Sequence, residues 1–349
     1  MKRFSILILT LCLCLTGCGK QTTEATAQIF AMDTVMEVAA YGEHAEQAVK
    51  YTEKRIEELE NRLSRTKAYS LVSGLNRDGS IRHLTYDYWN LIARAKEYRD
   101  ATNGAFDITI APIMDAWGFT GDQFRVPEQS ELNELLKHVN SDEIQVQEEP
   151  SYSVTLGEGQ AIDLGGIAKG YTSDLVEQTF RANGIESGKI SLGGNVFVLG
   201  GKPDGSDWRV GIKDPRNESG LAAILSLRDA YAITSGGYER YFEENGKTYH
   251  HIIDPSTGYP ADSGLLSVTV VAADNGPDWA GAGNGAMCDA FSTALFVMGE
   301  EQALDFWRNG GYDFDLVLVT EDGRVVITAG LADRFEEVKD SGYTYETVS

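Results

Sequence analysis

Apolar residues along the chain fall into two kinds of pattern. Ala45, Val49, Ile56, Leu59 and Leu63 recur at helical intervals through a charged stretch, and Leu91, Ile92, Ala95 and Tyr98 do the same until Asn103-Gly104 interrupts them. That spacing stacks side chains on one face, so both stretches are predicted to be amphipathic helices. A third helix is predicted after Pro127, with Leu132, Leu135, Leu136 and Val139 on one face. A fourth runs from about Gly170 to Asn183-Gly184, with Leu175, Val176 and Phe180 inward. The second pattern is short and rich in β-branched residues. Ile29 to Tyr41 reads as a first strand, and further strands are predicted over residues 190–199, 208–212, 222–227, 265–272, 316–320 and 324–328. Helices and strands mix without regular βαβ alternation, which predicts an α+β fold. No repeat or Pro-rich linker interrupts residues 29–349, so they are expected to form one globular unit.

The first 18 residues obey a different rule. Lys2 and Arg3 precede an apolar run from Ile6 to Leu15, followed by Thr16-Gly17-Cys18. A charged start, a short apolar run and small residues before a cysteine read as an export signal. The apolar run is too short for a spanning helix, which needs roughly 20 residues. Leu15-Thr16-Gly17-Cys18 resembles the bacterial lipoprotein box, which implies removal of residues 1–17 and lipidation of Cys18. The expected product is an exported bacterial lipoprotein on the cell membrane, facing the periplasm or the exterior, with residues 18–28 as lipidated cysteine and polar tether.

Composition narrows the function. With 349 residues and 42% hydrophobic content the chain can bury a sizeable core. Its 30 Lys+Arg against 53 Asp+Glu give a formal net charge of -23, which argues against a charge-driven grip on nucleic acid. A phosphate-bearing ligand would need a metal ion, a helix N-terminus or well-placed lysines. Cys12 and Cys14 leave with the signal and Cys18 takes lipid, so Cys288 remains alone and no internal disulfide is expected. One thiol and five scattered histidines match no usual zinc spacing.

Four segments carry candidate chemistry. Asp163-Leu164-Gly165-Gly166-Ile167-Ala168-Lys169-Gly170 is a glycine turn entering a helix, where exposed amides favour an anion and Lys169 adds charge. The same residues also suit an ordinary tight turn with a capping Asp and a solvated Lys. Ala105-Phe106-Asp107, with Trp117-Gly118-Phe119 downstream, offers aromatics that either stack on a flat heterocycle or fill the core. Thr234-Ser235-Gly236-Gly237 and His250-His251-Ile252-Ile253-Asp254-Pro255 place a histidine near a turn, as a general base or a structural group. Asp289 and Thr293 lie four apart, so on a helix their oxygens share a face and suit Mg²⁺; the alternative is a capping Asp and a packed Thr.

Generic motifs fail. Gly246-Lys247-Thr248 lacks the first glycine of a Walker A loop, where Tyr241 stands, and no Gly-x-Ser-x-Gly elbow occurs. Gly281 to Ala286 fits G-x-G-x-x-A formally but follows no tight strand-to-helix turn.

Taken in order, these segments resemble the ApbE family of FAD:protein FMN transferases, from Ala31-Met32-Asp33-Thr34 through Leu192-Gly193-Gly194 to Thr293-Ala294-Leu295. The resemblance implies an α+β, T-fold-like architecture and Mg²⁺-dependent transfer of FMN from FAD to a Thr or Ser hydroxyl of an acceptor protein, with AMP leaving. It implies Mg²⁺ ligands at Asp289, Thr293 and the Gly166 carbonyl. Met32, Tyr69, Ala105, Phe106, Asp107, Asp163, Lys169 and Ile253 would line the FAD site, and His251 would take the hydroxyl proton, with Asp289 as the other candidate. One departure is a longer, Gly-rich loop expected from Asp274 to Met287, with Trp279 in it. Competing expectations are an FAD pyrophosphatase that releases FMN and AMP to water, and an FAD-binding lipoprotein.

Overall fold

The alternation that begins before Ile29 folds back on itself. β1 (Glu24–Ala31) and β2 (Thr34–Tyr41) pair antiparallel across a Met32-Asp33 turn. Both turn residues take positive φ, 50° and 58°, the geometry that matches the twist of a two-residue hairpin. The computed structural model describes residues 23–121, 123–274, 276 and 283–349. Two corrections follow: the strand predicted from Ile29 is a hairpin, and residues 24–28, expected as tether, belong to β1. The cause is a period of two, since Ala25, Ala27 and Ile29 pack on the core from alternate positions. The leader and Cys18 lie outside the described residues.

α1 (Ala45–Leu63) occupies the predicted span and buries Val49, Ile56, Leu59 and Leu63. α2 (Leu71–Asp78) and β3 (Ser80–Arg82) lead to α3 (Tyr86–Ala101), then α4 (Ala111–Trp117). α5 (Gln129–Leu135) is shorter than predicted and tightens into a 3-10 turn at Leu136–His138. β4 (Gln145–Gln147) and β5 (Ser153–Thr155) pair beside β3, and α6 (Ala168–Ala182) follows the glycine turn. The strand predicted over 190–199 is a second hairpin, β6 (Ser187–Leu192) and β7 (Asn195–Leu199), because Gly193 and Gly194 turn the chain with φ of 59° and 100°.

β8 (Trp208–Asp214), β9 (Asn217–Leu227), β10 (Ala230–Gly236), β11 (Tyr241–Glu244), β12 (Lys247–His250) and β13 (Leu265–Ala273) come next. The chain ends with α7 (Asn284–Asn309), β14 (Asp315–Thr320), β15 (Arg324–Thr328), β16 (Phe335–Glu337) and β17 (Thr344–Val348).

Among the described residues nine strands form one sheet, ordered β1-β2-β6-β7-β10-β13-β14-β15-β17. Its two faces are sorted by the pleat. Tyr231, Ile233, Val268, Val270, Leu316 and Leu318 join the core under the helices, whereas Ala230, Ala232, Val271, Val317 and Val319 pack against a small β16-β9-β8 sheet. α6 and α7 lie against each other and against β7, β10 and β13, and α1 packs on α6. This α+β arrangement is the predicted class. No helix among the described residues is long and apolar enough to cross a membrane. The layers bring the start of α6, the first turns of α7, the turn before β7 and the end of β10 to one place.

Candidate functional site

α6 and α7 cap each other. Asp289 on α7 accepts the Gly170 N–H at 2.8 Å, in the first turn of α6, whose N-cap residue Ile167 has no side-chain oxygen to offer. Asp174 on α6 accepts the N–H groups of Gly283, Gly285 and Ala286 at 2.9, 2.7 and 2.9 Å, at the start of α7. Helix N-termini carry unpaired amides and partial positive charge, so a carboxylate suits both ends. The crossing needs glycine: a Cβ on Gly170 would stand 2.1 Å from the Gly285 carbonyl oxygen, and one on Gly285 2.4 Å from that of Gly170. Asp289 therefore caps a helix, as one sequence reading allowed, but the helix is α6 and not its own.

The predicted metal donors converge here. Asp289 is buried, and its other oxygen accepts from Asn195 Nδ2 at 3.0 Å. Thr293 Oγ1 lies 3.1 Å from Ser235 Oγ, which is 2.8 Å from Ser292 Oγ. Gly166 faces them closely, since a Cβ there would be 3.4 Å from Thr293 Oγ1 and 3.2 Å from the Phe106 ring. Asn195 Oδ1 is buried without a hydrogen-bond partner. The side-chain donors gathered here are one carboxylate and hydroxyls, which fit a hard cation that completes its shell with phosphate and water. Among the described residues no three His, Cys, Asp or Glu side chains gather into a metal-holding group.

Lys169, in the first turn of α6, links this cluster to His251. Burial raises the Asp289 carboxyl above the usual range, while Lys169, the Gly170 amide and Asn195 pull it back. Burial, then the Lys169 charge, lowers His251 to about 3, so its ring is neutral. The Arg240 carbonyl lies 3.1 Å from His251 Nδ1 and can only accept, which puts the proton on Nδ1 and leaves the Nε2 lone pair available. His250 has no such freedom. Its Nε2 donates to the Ala261 carbonyl at 3.0 Å and its Nδ1 accepts the Ile252 N–H at 3.2 Å.

The residues expected to line a flavin site divide into two groups. Tyr69 is 99% exposed on the loop between α1 and α2. Met32 sits at the hairpin turn with its sulfur 3.8 Å from Thr172 Oγ1 of α6, and Ala105 is partly buried next to Phe106, whose ring covers Gly166. Others are committed to the scaffold. Asp163 accepts from Gly165 N–H at 2.7 Å and from Arg65 at 3.2 Å, and Arg65 also reaches Asp115 at 2.6 Å, so the loop carrying Tyr69 is pinned to the glycine turn. Asp107 is buried and accepts from the N–H and hydroxyl of Thr109, at 2.8 and 2.6 Å, and from Ser141. It shapes the turn that carries Phe106. The Ile253 side chain is buried with Ile113, Trp117 and Leu132.

Sequence reasoning passed over Asn195, Arg65 and Asp174. Asn195 alone left a signal, a polar residue at the first position of an apolar strand directly after two glycines. Half of the Gly-rich segment, Trp279 included, lies outside the described residues, and its last part, Asn284 to Met287, expected as loop, opens α7 because Asp174 caps the amides there.

Comparison with known proteins points to one family. A model of the ApbE family matches residues 32–316. The FAD:protein FMN transferase of Treponema pallidum is 31% identical over 83% of this chain and 82% of its own, and that of Klebsiella pneumoniae 34% identical over 83% and 86%. The crystal structure of the ApbE protein of Thermotoga maritima superposes with a TM-score of 0.78 at 30% identity, covering 91% of this chain and 97% of its own. The apo flavinyl transferase ApbE of Pseudomonas stutzeri gives 0.73 at 26% identity, covering 86% and 92%. Fold and sequence agree: the chain belongs to the ApbE family.

Proposed function

We propose that this protein is an FAD:protein FMN transferase that moves FMN from FAD to a Thr or Ser hydroxyl of an acceptor protein and releases AMP. The observation that carries the reading is the gathering of Asp289, Thr293 and Gly166 beside the α6 N-terminus, with the Lys169 charge acting on both Asp289 and His251. The names of the Treponema and Klebsiella relatives support the same activity.

Asp289, Thr293 and the Gly166 carbonyl would hold Mg²⁺, which when bound neutralises diphosphate charge and stabilises the charge that develops as the diphosphate is cleaved. The chain's own groups do the rest. Lys169 and the α6 amides favour the anionic diphosphate and orient it. The acceptor hydroxyl oxygen bonds to the phosphorus on the FMN side, the bond from that phosphorus to the bridging oxygen breaks, and AMP departs with the bridging oxygen. The hydroxyl proton passes to His251 Nε2. Burial is the larger cause of the depressed His251 and the Lys169 charge the second; an anion beside Lys169 offsets the second and so raises the basicity of the ring. Exposed Tyr69 offers aromatic surface to the flavin, whereas the buried Phe106 ring backs the glycine turn.

We further propose that Cys18 carries lipid, so the enzyme works at a membrane surface on exported acceptors. Incubation of the mature protein with FAD, Mg²⁺ and a flavin-acceptor domain tests the main reading. Flavin fluorescence on the acceptor band is expected. Free FMN without labelled acceptor would replace the reading with an FAD pyrophosphatase, and intact FAD would replace it with a binding protein.

A further inference from the structure

Asn195 is wholly buried at the first position of β7, its backbone fixed by the Gly193-Gly194 turn on which Thr34 of the β1–β2 hairpin presses. Its amide is used on one side only. Nδ2 donates to Asp289 Oδ1 at 3.0 Å, and Oδ1, on the same amide carbon and hence beside that carboxylate, has no partner. Turning the amide over would not help, because it would set two acceptor oxygens against each other. Buried carbonyl oxygens are nearly always paired, and an orphan in such a place is explained by a donor that arrives with a ligand.

Resting on the cation site proposed above, we propose that Asn195 is a positioning residue for that site: Nδ2 orients the Asp289 carboxylate, and Oδ1 accepts a hydrogen bond from the hydration shell of the bound cation. A cation of the Mg²⁺ type keeps several waters, and each polarised water needs an acceptor on its outer side. Asp289 is then gripped from two elements, the α6 amide on one oxygen and β7 on the other, which fixes the direction of its free lone pairs.

The test uses Mn²⁺ as the probe, with free Mn²⁺ read by electron paramagnetic resonance in the full mature protein without FAD, so no turnover enters the measurement. Asn195→Leu, with the same branched shape and no polar side-chain atoms, is expected to weaken Mn²⁺ binding ~10–100-fold, the range for losing such an outer partner. Its melting temperature in EDTA is expected to fall, because the buried Asp289 oxygen loses the Asn195 donor, so affinity is read per folded molecule. Asn195→Ala, for use if the leucine does not pack, should show the same loss of binding per folded molecule. Unchanged Mn²⁺ affinity in a folded Asn195 variant, alongside an Asp289→Asn control that has lost binding, overturns the role of Asn195 and leaves the cation site standing. Wild-type binding that Asp289→Asn retains, or no wild-type binding at all, overturns the cation site itself.

Discussion

Asp289 meets two demands at once. As the cap of α6 it must accept an N–H, and as a cation ligand it must keep lone pairs free in a buried place that disfavours its charge. Two acceptor positions on each oxygen make the combination possible, with Gly170 and Asn195 taking one each. Asp289→Ala is thus a poor probe of metal binding alone, since losing a cap costs about 0.5–2 kcal/mol in itself. His251 gives a cleaner prediction. His251→Ala is expected to lower the flavinylation rate ~10²–10⁴-fold, the range for a positioned acid–base group, with FAD affinity close to the wild type in fluorescence titrations. Because the free enzyme holds this ring neutral down to about pH 3, the wild-type kcat/KM profile should show no acid limb near pH 6.5. Retention of wild-type rates by the variant would move the base elsewhere. The residue pattern did not separate His251 from His250; the family resemblance chose His251. The structural reason is supplied by the carbonyls of Arg240 and Ala261, brought in from other segments.

At the scale of elements, the site is a helix crossing that tolerates no side chain. Gly170→Ala is expected to force α6 from Gly285 and cost about 1–3 kcal/mol, as overpacking does, with a fall in melting temperature and a parallel loss of Mn²⁺ binding as Asp289 moves. An unchanged melting temperature would contradict so close a contact. This crossing also explains what could be read in advance. α1 and α3 declared themselves by one apolar face over a charged one, as surface helices do. α7 did not: Ala286, Met287, Cys288, Asp289, Ala290, Phe291 and Ser292 are buried in succession, so no polar face marks the period, and only the Asp289–Thr293 spacing hinted at a helix. Both hairpins were hidden for a related reason. A turn of two residues barely interrupts an apolar run, and at Met32-Asp33 it contains no glycine.

At the scale of the molecule, the balance of buried acids sets the pH range. Burial pushes Asp174 up to about 7 against the amides that it caps, and Glu177 up to about 7, beside Arg181 and Asp274. An unfolded Asp or Glu loses its proton near pH 4, so each of these groups adds stability that is complete below that pH and is lost as pH rises through about 7. His251 acts in the opposite sense: depressed to about 3 in the fold, it costs stability as pH falls below about 6.5. Urea unfolding should therefore show stability decreasing from pH 6 to pH 8, with a smaller slope in Asp174→Asn. A rise over that interval would contradict the buried-acid account. The net charge of -23 repels any anionic partner at long range, so the neutralising work falls to one small cluster. That need, and the α+β class, were legible in composition and pattern, whereas the reciprocal caps were not, because Asp174 and Asp289 find their amides across more than 100 residues of chain.

The most direct measurement is the intact mass of a flavin-acceptor domain after incubation with the mature protein, FAD and Mg²⁺, with AMP quantified in the same sample. The account predicts an acceptor heavier by one FMN less one water, and one AMP for each acceptor modified. FMN and AMP accumulating in solution while the acceptor mass stays unchanged would contradict it.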